Sequence, residues 1–115
     1  MKFRYARHTN KIKAQTDFYS NVIGLEVLGG FENHSNYNGV FMGKLNQDWH
    51  IEFTESDEKP TRDPDEDDLL VFYLTEEDLA QVNANIVKYA IPIVQSKNPY
   101  WQENGIEVKI QMVLV

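Results

Sequence analysis

His50 and Glu52 are the two side chains whose types and spacing could do chemistry. They belong to residues 48–54, in which polar and apolar side chains alternate. In an extended strand, the His50 and Glu52 side chains would lie on one face, and apolar side chains such as those of Ile51 and Phe53 would lie on the other. An imidazole and a carboxylate that project into the same space indicate the wall of a cavity. A solvent-exposed sheet face is the alternative, and this stretch taken alone favours it.

The composition is that of a single globular domain. Of the 115 residues, 42% are hydrophobic and 12% aromatic, which is enough for a buried core. Cysteine is absent, and this excludes disulfides, thiolate nucleophiles and cysteine metal ligands. The net charge of −7 argues against a nucleic-acid partner, because a phosphate backbone attracts a basic surface.

No apolar run approaches the roughly 20 residues that span a bilayer. The first residues also lack the apolar segment of a signal peptide, so we expect no membrane partner and a cytoplasmic location.

The elements that would position this pair follow the order strand, helix and three strands. Residues 3–8 alternate as a strand, and residues 12–23 carry a helical apolar stripe. Thr9 or Asn10 is expected to cap that helix, and Gly24 to end it in a left-handed conformation. Strands are then predicted at residues 25–29, 39–45 and 49–55, with an asparagine-rich loop at 32–38.

The same order of elements begins again after an acidic linker. Residues 57–67 contain two prolines and no large apolar side chain, so they cannot enter a core. The segments that follow are a strand at 69–74, a capped helix from Thr75, a short strand at 91–94, an aromatic loop at 98–101 and an extended segment from residue 106. The two predicted helices end 66 residues apart, at Gly24 and Ala90, which indicates an internal repeat.

Six short motifs support a family resemblance. They are Phe-Tyr at 18–19, Ile-Gly-Leu-Glu-Val at 23–27, Asn-Gly-Val-Phe-Met-Gly at 38–43, His-Ile-Glu-Phe-Thr at 50–54, Leu-Val-Phe-Tyr-Leu at 70–74 and Asn-Pro-Tyr-Trp at 98–101. In this order and spacing they resemble a bacterial branch of the vicinal-oxygen-chelate superfamily, which includes glyoxalases, bleomycin-resistance proteins and extradiol dioxygenases.

The resemblance implies an α+β fold. Two tandem βαβββ modules would form a curled, cup-like mixed sheet with helices on the outside. The whole chain, residues 1–115, would be one glyoxalase/bleomycin-resistance-like domain. Module one would cover residues 1–56, the acidic linker residues 57–67, and an incomplete module two residues 68–115.

The resemblance also bears on a metal site. Metal enzymes of the superfamily place one ligand on the first and one on the fourth strand of each module. Three of these positions fall on Arg4, Glu52 and Leu69, and the remaining one lies beyond the last residue. Arginine stays protonated and leucine has no donor atom, whereas such ions need roughly three protein donors. We therefore predict no family-type metal site and no cofactor. His8, His50 and Glu52 could form a two-histidine, one-carboxylate set, but a hydrogen-bonded His50/Glu52 pair inside a ligand cavity is favoured.

The C-terminal segment departs from the superfamily. After Asn-Gly-Ile at 104–106, the superfamily has an acidic turn of the type Glu-Asp-Pro-Asp-Gly that leads into the last strand, but this chain has Lys-Ile-Gln-Met-Val at 109–113. These residues can be encoded AAG ATC CAG ATG GTN, and reading one base earlier, after a G, gives GAA GAT CCA GAT GGT, which encodes that turn. We hypothesise that the reading frame slips near residues 107–108, so that the last strand of module two is missing or replaced by the alternating tail 108–115. A gene whose shifted frame lacks the turn would end this hypothesis.

The expected function is the binding of a small molecule. The polar lining would come from Arg4, His8, His50 and Glu52, with Tyr73, Tyr100 and Trp101 from module two. Such mixed aromatic and charged walls suit a planar or amphipathic ligand, and the Glu52 carboxylate allows a cationic one. Covering the cavity or forming a dimer contact is the alternative role for the two aromatic residues of the 98–101 loop.

Two other functions remain open. One is a metal-dependent lyase or dioxygenase of the same superfamily, so whether the chain is an enzyme is undecided at this point. The other is a non-catalytic interaction module. A homodimer is expected in each case, because a sheet that lacks its last strand leaves an edge that seeks a partner. The second modules, or the tails, would lie at or near its interface.

Overall fold

Four strands form a mixed sheet in the N-terminal half of the chain. They are β1 (Phe3–His8), β2 (Glu26–His34), β3 (Tyr37–Gly43) and β4 (Trp49–Glu55). Their order in the sheet is β1–β4–β3–β2, with β1 parallel to β4 and the other pairs antiparallel. This curled mixed sheet and a smaller second sheet give the α+β architecture that the resemblance implies.

The computed structural model describes residues 1–61, 64–108 and 112–114. The chain divides into two compact units, Met1–Thr61 and Arg62–Val115. None of the helices in the described ranges is long and apolar enough to cross a membrane.

The first helix, α1 (Ile12–Phe18), continues into a π-helical turn, Tyr19–Ile23. It ends at Gly24, whose φ of 86° is the left-handed conformation predicted there. The predicted cap is wrong, because Lys11 is the N-cap residue and its side chain makes no capping hydrogen bond. The Thr9 hydroxyl accepts from the Lys11 amide at 3.0 Å, whereas the Ile12 amide donates to the Glu55 carboxylate at the end of β4, at 3.2 Å. Local sequence signals could not predict this contact, because its two residues are 43 positions apart in the sequence.

The core of the first unit lies between this helix and one face of the sheet. Tyr19, Met42 and Phe53 are fully buried, and Ile51 is 4% exposed. The Tyr19 ring packs against Phe53 with centroids 5.1 Å apart. The predicted division of β4 into an apolar inner face and a polar outer face is therefore confirmed for Ile51 and Phe53.

The predicted loop at residues 32–38 is wrong, because most of it belongs to a β-hairpin. Strand β2 continues to His34, and β3 starts at Tyr37. The two residues between them, Ser35 and Asn36, have φ values of 52° and 69°. Positive φ at both central positions is the type I′ geometry that suits the twist of paired strands.

The second unit repeats the strand order of the first with shorter elements. Its elements are β5 (Leu70–Phe72), α2 (Glu76–Lys88), β6 (Ile93–Val94), α3 (Pro99–Asn104), β7 (Ile106–Val108) and β8 (Met112–Leu114). The sheet order is β5–β8–β7–β6, with β5 parallel to β8. The predicted cap of α2 is confirmed, since the Thr75 hydroxyl accepts from the Asp78 amide at 3.1 Å.

The predicted aromatic loop at 98–101 is wrong, because it forms the start of α3. The Asn98 side chain accepts from the Tyr100 amide at 3.0 Å, and Pro99 occupies the first turn. Asparagine as the cap and proline just inside the helix are strong start signals. The helix that these signals start here has only six residues.

The tail supplies a replacement for the last strand of module two. Met112–Leu114 pairs with β5 on one side and with β7 on the other, which is the position that β4 has in the first sheet. Residues 109–111, where much of the predicted shifted turn falls, lie outside the described residues, and so does residue 115.

Candidate functional site

Three neighbouring strands bring Arg4, Phe41, His50 and Glu52 onto the face of the first sheet that is opposite the helix. The parallel register of β1 and β4 aligns Arg4 with His50. The antiparallel register of β3 and β4 aligns Phe41 with Glu52. Because side chains alternate along a strand, His50 and Glu52 share this face, as their spacing predicts.

Arg4 connects the imidazole and the carboxylate. Its Nε donates to His50 Nε2 at 2.9 Å, and its Nη1 lies 3.6 Å from Glu52 Oε2. Since a guanidinium can only donate, His50 Nε2 is the acceptor of this hydrogen bond. The predicted direct pair of His50 and Glu52 is thus replaced by an arrangement in which both side chains bind the same guanidinium.

Phe41 forms the apolar floor of this cluster. The Arg4 Cζ atom lies 5.3 Å from the centroid of the Phe41 ring, and the His50 ring meets that ring edge-on with centroids 5.5 Å apart. The side chain of Glu52 is 12% exposed while that of Arg4 is 54% exposed. The guanidinium therefore lies on the solvent side of the carboxylate and compensates its charge.

A pocket of about 330 Å³ opens beside the cluster. Among the described residues of its lining are three basic side chains, those of Lys2, Arg4 and Lys44, and no aspartate or glutamate. The Lys44 ammonium donates to the Gly24 carbonyl oxygen at 2.6 Å. The rest of the lining is apolar or neutral and consists of Leu28, Phe41, Leu45, Asn46, Gln47, Trp49 and His50. The pocket is thus basic in a chain whose net charge is −7.

His8 lies at the other end of β1 and makes different contacts. Its Nε2 is 3.1 Å from the Ser56 hydroxyl oxygen, and its ring centroid is 6.4 Å from that of Tyr37. His8 therefore does not join His50 and Glu52 in the two-histidine, one-carboxylate set. Within residues 1–61, 64–108 and 112–114, no group of three or more His, Cys, Asp or Glu side chains is arranged to hold a metal ion.

The three remaining predicted site residues belong to the second unit. Tyr73 directly follows β5 and is 75% exposed. Tyr100 and Trp101 lie in α3, where their rings are nearly perpendicular with centroids 4.8 Å apart.

Sequence reasoning did not select Lys2, Phe41 and Lys44 as site residues. Phe41 could have been found from the β3–β4 hairpin, because that register puts it opposite Glu52. The two lysines carried no such signal, since Lys2 precedes the first strand and Lys44 follows β3 in a connection. Their approach to Arg4 depends on how the sheet ends fold together.

Comparisons with known proteins agree on one family. Residues 3–54 match the YycE-like N-terminal domain and residues 67–109 match the YycE-like C-terminal domain. The YycE protein of Bacillus subtilis (strain 168) is 33% identical over 110 residues, which are 94% of this chain and 79% of that protein. A crystal structure of a Bacillus subtilis YycE protein of unknown function superimposes with a TM-score of 0.83 at 30% identity, over 98% of this chain and 85% of the other.

More distant structures share the fold alone. Glyoxalase I of Leishmania major has a TM-score of 0.69 at 17% identity, with 97% of this chain and 83% of the other covered. The fosfomycin resistance protein FosX of Listeria monocytogenes, solved with Mn(II) and a dihydroxypropylphosphonic acid, has a TM-score of 0.67 at 13% identity, with 96% and 87% covered. Both have the vicinal-oxygen-chelate fold.

The residues of the first unit do not fit an ion of the kind that FosX holds. The His50 lone pair at Nε2 already accepts from Arg4, and the guanidinium lies 3.6 Å from Glu52 Oε2. A divalent cation bound by His50 and Glu52 would lie close to the permanent positive charge of Arg4 and would be repelled by it.

Proposed function

Because the chain belongs to the YycE-like family of the vicinal-oxygen-chelate superfamily, we propose that it is a small-molecule-binding protein whose first unit binds an organic anion. The ligand would lie in the pocket beside Arg4, with its charged group toward Lys2, Arg4 and Lys44. Its apolar part would contact Phe41 and Trp49. This proposal is more specific than the expectation from the sequence, which was a planar or amphipathic ligand that the Glu52 carboxylate allows to be cationic.

The contact between Arg4 and His50 is the single observation that carries the proposal. The bond at 2.9 Å and the Phe41 ring beneath the guanidinium hold a flexible side chain in one place. With Nε bound to His50 and Nη1 beside Glu52, the remaining N–H donors of the planar guanidinium are those that a carboxylate or a phosphonate would bind. Little side-chain entropy would then be lost when the ligand binds.

The charge balance favours an anion over the cation that Glu52 alone would suggest. Arg4 compensates the Glu52 carboxylate. The described lining then holds two further positive charges, those of Lys2 and Lys44, and no acidic residue. An incoming anion would gain from both, whereas a cation would be repelled.

The remaining predicted residues have supporting roles in this proposal. His8, paired with Ser56, would extend the polar face beyond Glu52 toward the end of β1. Tyr73, Tyr100 and Trp101 are proposed as ligand-binding residues of the second unit. We also propose that the chain is one domain with modules at 1–56 and 68–115, that no metal or cofactor serves the first unit, and that the protein is a homodimer.

The test is calorimetric titration with benzoate and phenylphosphonate, and with benzyl alcohol as the uncharged match. We expect at least one anion to bind saturably and the alcohol to bind at least about tenfold more weakly, because a charge-assisted hydrogen bond is lost. Arg4→Gln should reduce anion binding by a similar factor. Lys13→Gln removes one positive charge from a lysine that is exposed and paired with Asp17, so it should change nothing.

Two results would overturn the proposal. The first is equal binding of the anions and the alcohol, which would leave only an apolar pocket. The second is nearly one equivalent of a divalent metal in protein purified without chelators, because it would favour the lyase or dioxygenase alternative.

A further inference from the structure

A second pocket, of about 370 Å³, lies in the second unit and contains a carboxylate that no described residue pairs. Glu107 lies at the middle of β7 and lines this pocket. It is 8% exposed, and its Oε1 atom is buried without a hydrogen-bond partner among the described residues. A buried carboxylate in this situation is costly, because the lost hydration is not replaced.

The sheet register fixes the direction of this side chain. Glu107 pairs with Val94 of β6 and with Val113 of β8, so its backbone lies in the interior of the sheet. Val108, the next residue along β7, is fully buried and by alternation points to the opposite face. The carboxylate therefore cannot leave the pocket side without breaking the strand register.

The walls around the carboxylate combine an aromatic ring with hydrogen-bond acceptors. Trp101 of α3 lines the pocket, and Ile93 and Ile106 add apolar surface. Gln102, which also lines the pocket, donates from Nε2 to the Ser96 carbonyl oxygen at 2.7 Å, and its amide oxygen is an acceptor. Among the described residues that line this pocket, none is basic.

We infer that this pocket binds an organic ammonium ion, with Glu107 as its counter-charge and Trp101 as its aromatic wall. An ammonium group supplies the donors that Glu107 Oε1 lacks, and the face of an indole attracts a cation. An apolar substituent on the ligand would contact Ile93 and Ile106. This site shares no lining residue with the basic pocket of the first unit and requires a ligand of the opposite charge.

The inference is tested by amide chemical-shift titrations of the full chain with phenethylammonium. Phenethyl alcohol and phenylacetate are the neutral and anionic matches. Saturable shifts at residues 93–107 are expected with the ammonium ion, and at least about tenfold weaker binding with the alcohol. Glu107→Gln should weaken ammonium binding by a similar factor, and Trp101→Leu should weaken it as well.

Glu103→Gln is the matched control, because it removes the same charge from an exposed residue of α3 that does not line the pocket. It should bind phenethylammonium as the wild type does. Wild-type affinity in Glu107→Gln, equal binding of the alcohol, absence of saturable shifts, or shifts confined to the first unit would each overturn the inference. If Glu107→Gln fails to fold, the comparison of phenethylammonium, phenethyl alcohol and phenylacetate on the wild-type protein tests the inference by itself.

Discussion

Arg4 determines the chemistry that His50 and Glu52 can perform. By donating to His50 and lying 3.6 Å from Glu52, it engages both side chains of a potential acid–base or metal-ligand pair beside the basic pocket. The side chains that alternate along β4 could be predicted from sequence, because strand periodicity is local. Arg4 was placed in the same lining, but its direct contact with His50 could not be predicted, since the two residues are 46 positions apart.

Replacing Glu52 tests this interpretation of the charge balance. Glu52→Gln should change the free energy of unfolding by less than ~1 kcal/mol, because a pair with a half-exposed arginine contributes little. The same change should tighten the binding of benzoate or phenylphosphonate by about fivefold, since the Arg4 charge is no longer compensated. Glu32→Gln, an equal charge change at an exposed residue of β2, is the control and should affect neither quantity. A large loss of stability with unchanged affinity would show that Glu52 is structural.

Tyr19 should make the stability of the protein depend on alkaline pH. Burial raises its pKa from 10.0 to about 12, and the nearby positive charge of Arg7 opposes that shift without cancelling it. The neutral phenol is therefore favoured in the folded chain, and its contribution, complete below pH 10, is lost as the pH rises toward 12. This loss amounts to about 2–3 kcal/mol.

Urea unfolding between pH 8 and 12 measures the effect. The wild type should lose about 2–3 kcal/mol more than Tyr19→Phe over this range. Tyr89→Phe, at a ring that is 44% exposed, should follow the wild type. Identical pH profiles for the wild type and Tyr19→Phe would contradict the assignment.

Strand β4 carries the core on one face and the candidate site on the other. Ile51→Ala should destabilise the protein by ~2–5 kcal/mol, because the side chain is 4% exposed and its removal leaves a cavity. Thr54→Ala, a truncation on the opposite face, should cost less than ~1 kcal/mol. Thermal or chemical unfolding distinguishes the two. A negligible effect of Ile51→Ala would mean that the two faces of the strand have been exchanged.

Local signals and long-range contacts explain which elements could be predicted. The ends of α1 at Gly24 and of α2 at Thr75 were correct, because a glycine and a capping threonine act within one helical turn. The short helix α3 and the hairpin at Ser35–Asn36 were mistaken for loops. In both cases the turn-forming residues were recognised, but the regular structure beside them depends on pairing and packing.

The tail shows how the second unit completes its sheet. Met112–Leu114 lies between β5 and β7, so it already has two partners within its own chain. It cannot also add to the edge of another chain. The expected dimer must therefore use other surfaces, and the edge strand β6 is the candidate in the second unit, because Ile93 is 61% exposed there.

A homodimer is the expected state in solution. Ile93→Lys should shift it toward monomers, because a charge on an apolar edge opposes strand pairing. Val27→Lys introduces the same charge at a residue that is 54% exposed in the first unit, and it should leave the dimer intact. Mass measured in solution across a dilution series provides the test. A wild-type monomer at high micromolar concentration would refute the expectation.

The most direct measurement of the central claim is an amide chemical-shift map of the unaltered protein with phenylphosphonate and benzoate. We predict saturable shifts concentrated at Lys2–Arg4, at Leu28 and Phe41, and along residues 44–50, because these residues line the basic pocket. The same shifts should be absent with benzyl alcohol and should decline in Arg4→Gln. Binding confined to the second unit, or no saturable shift with either anion, would contradict the claim that the first unit binds an organic anion.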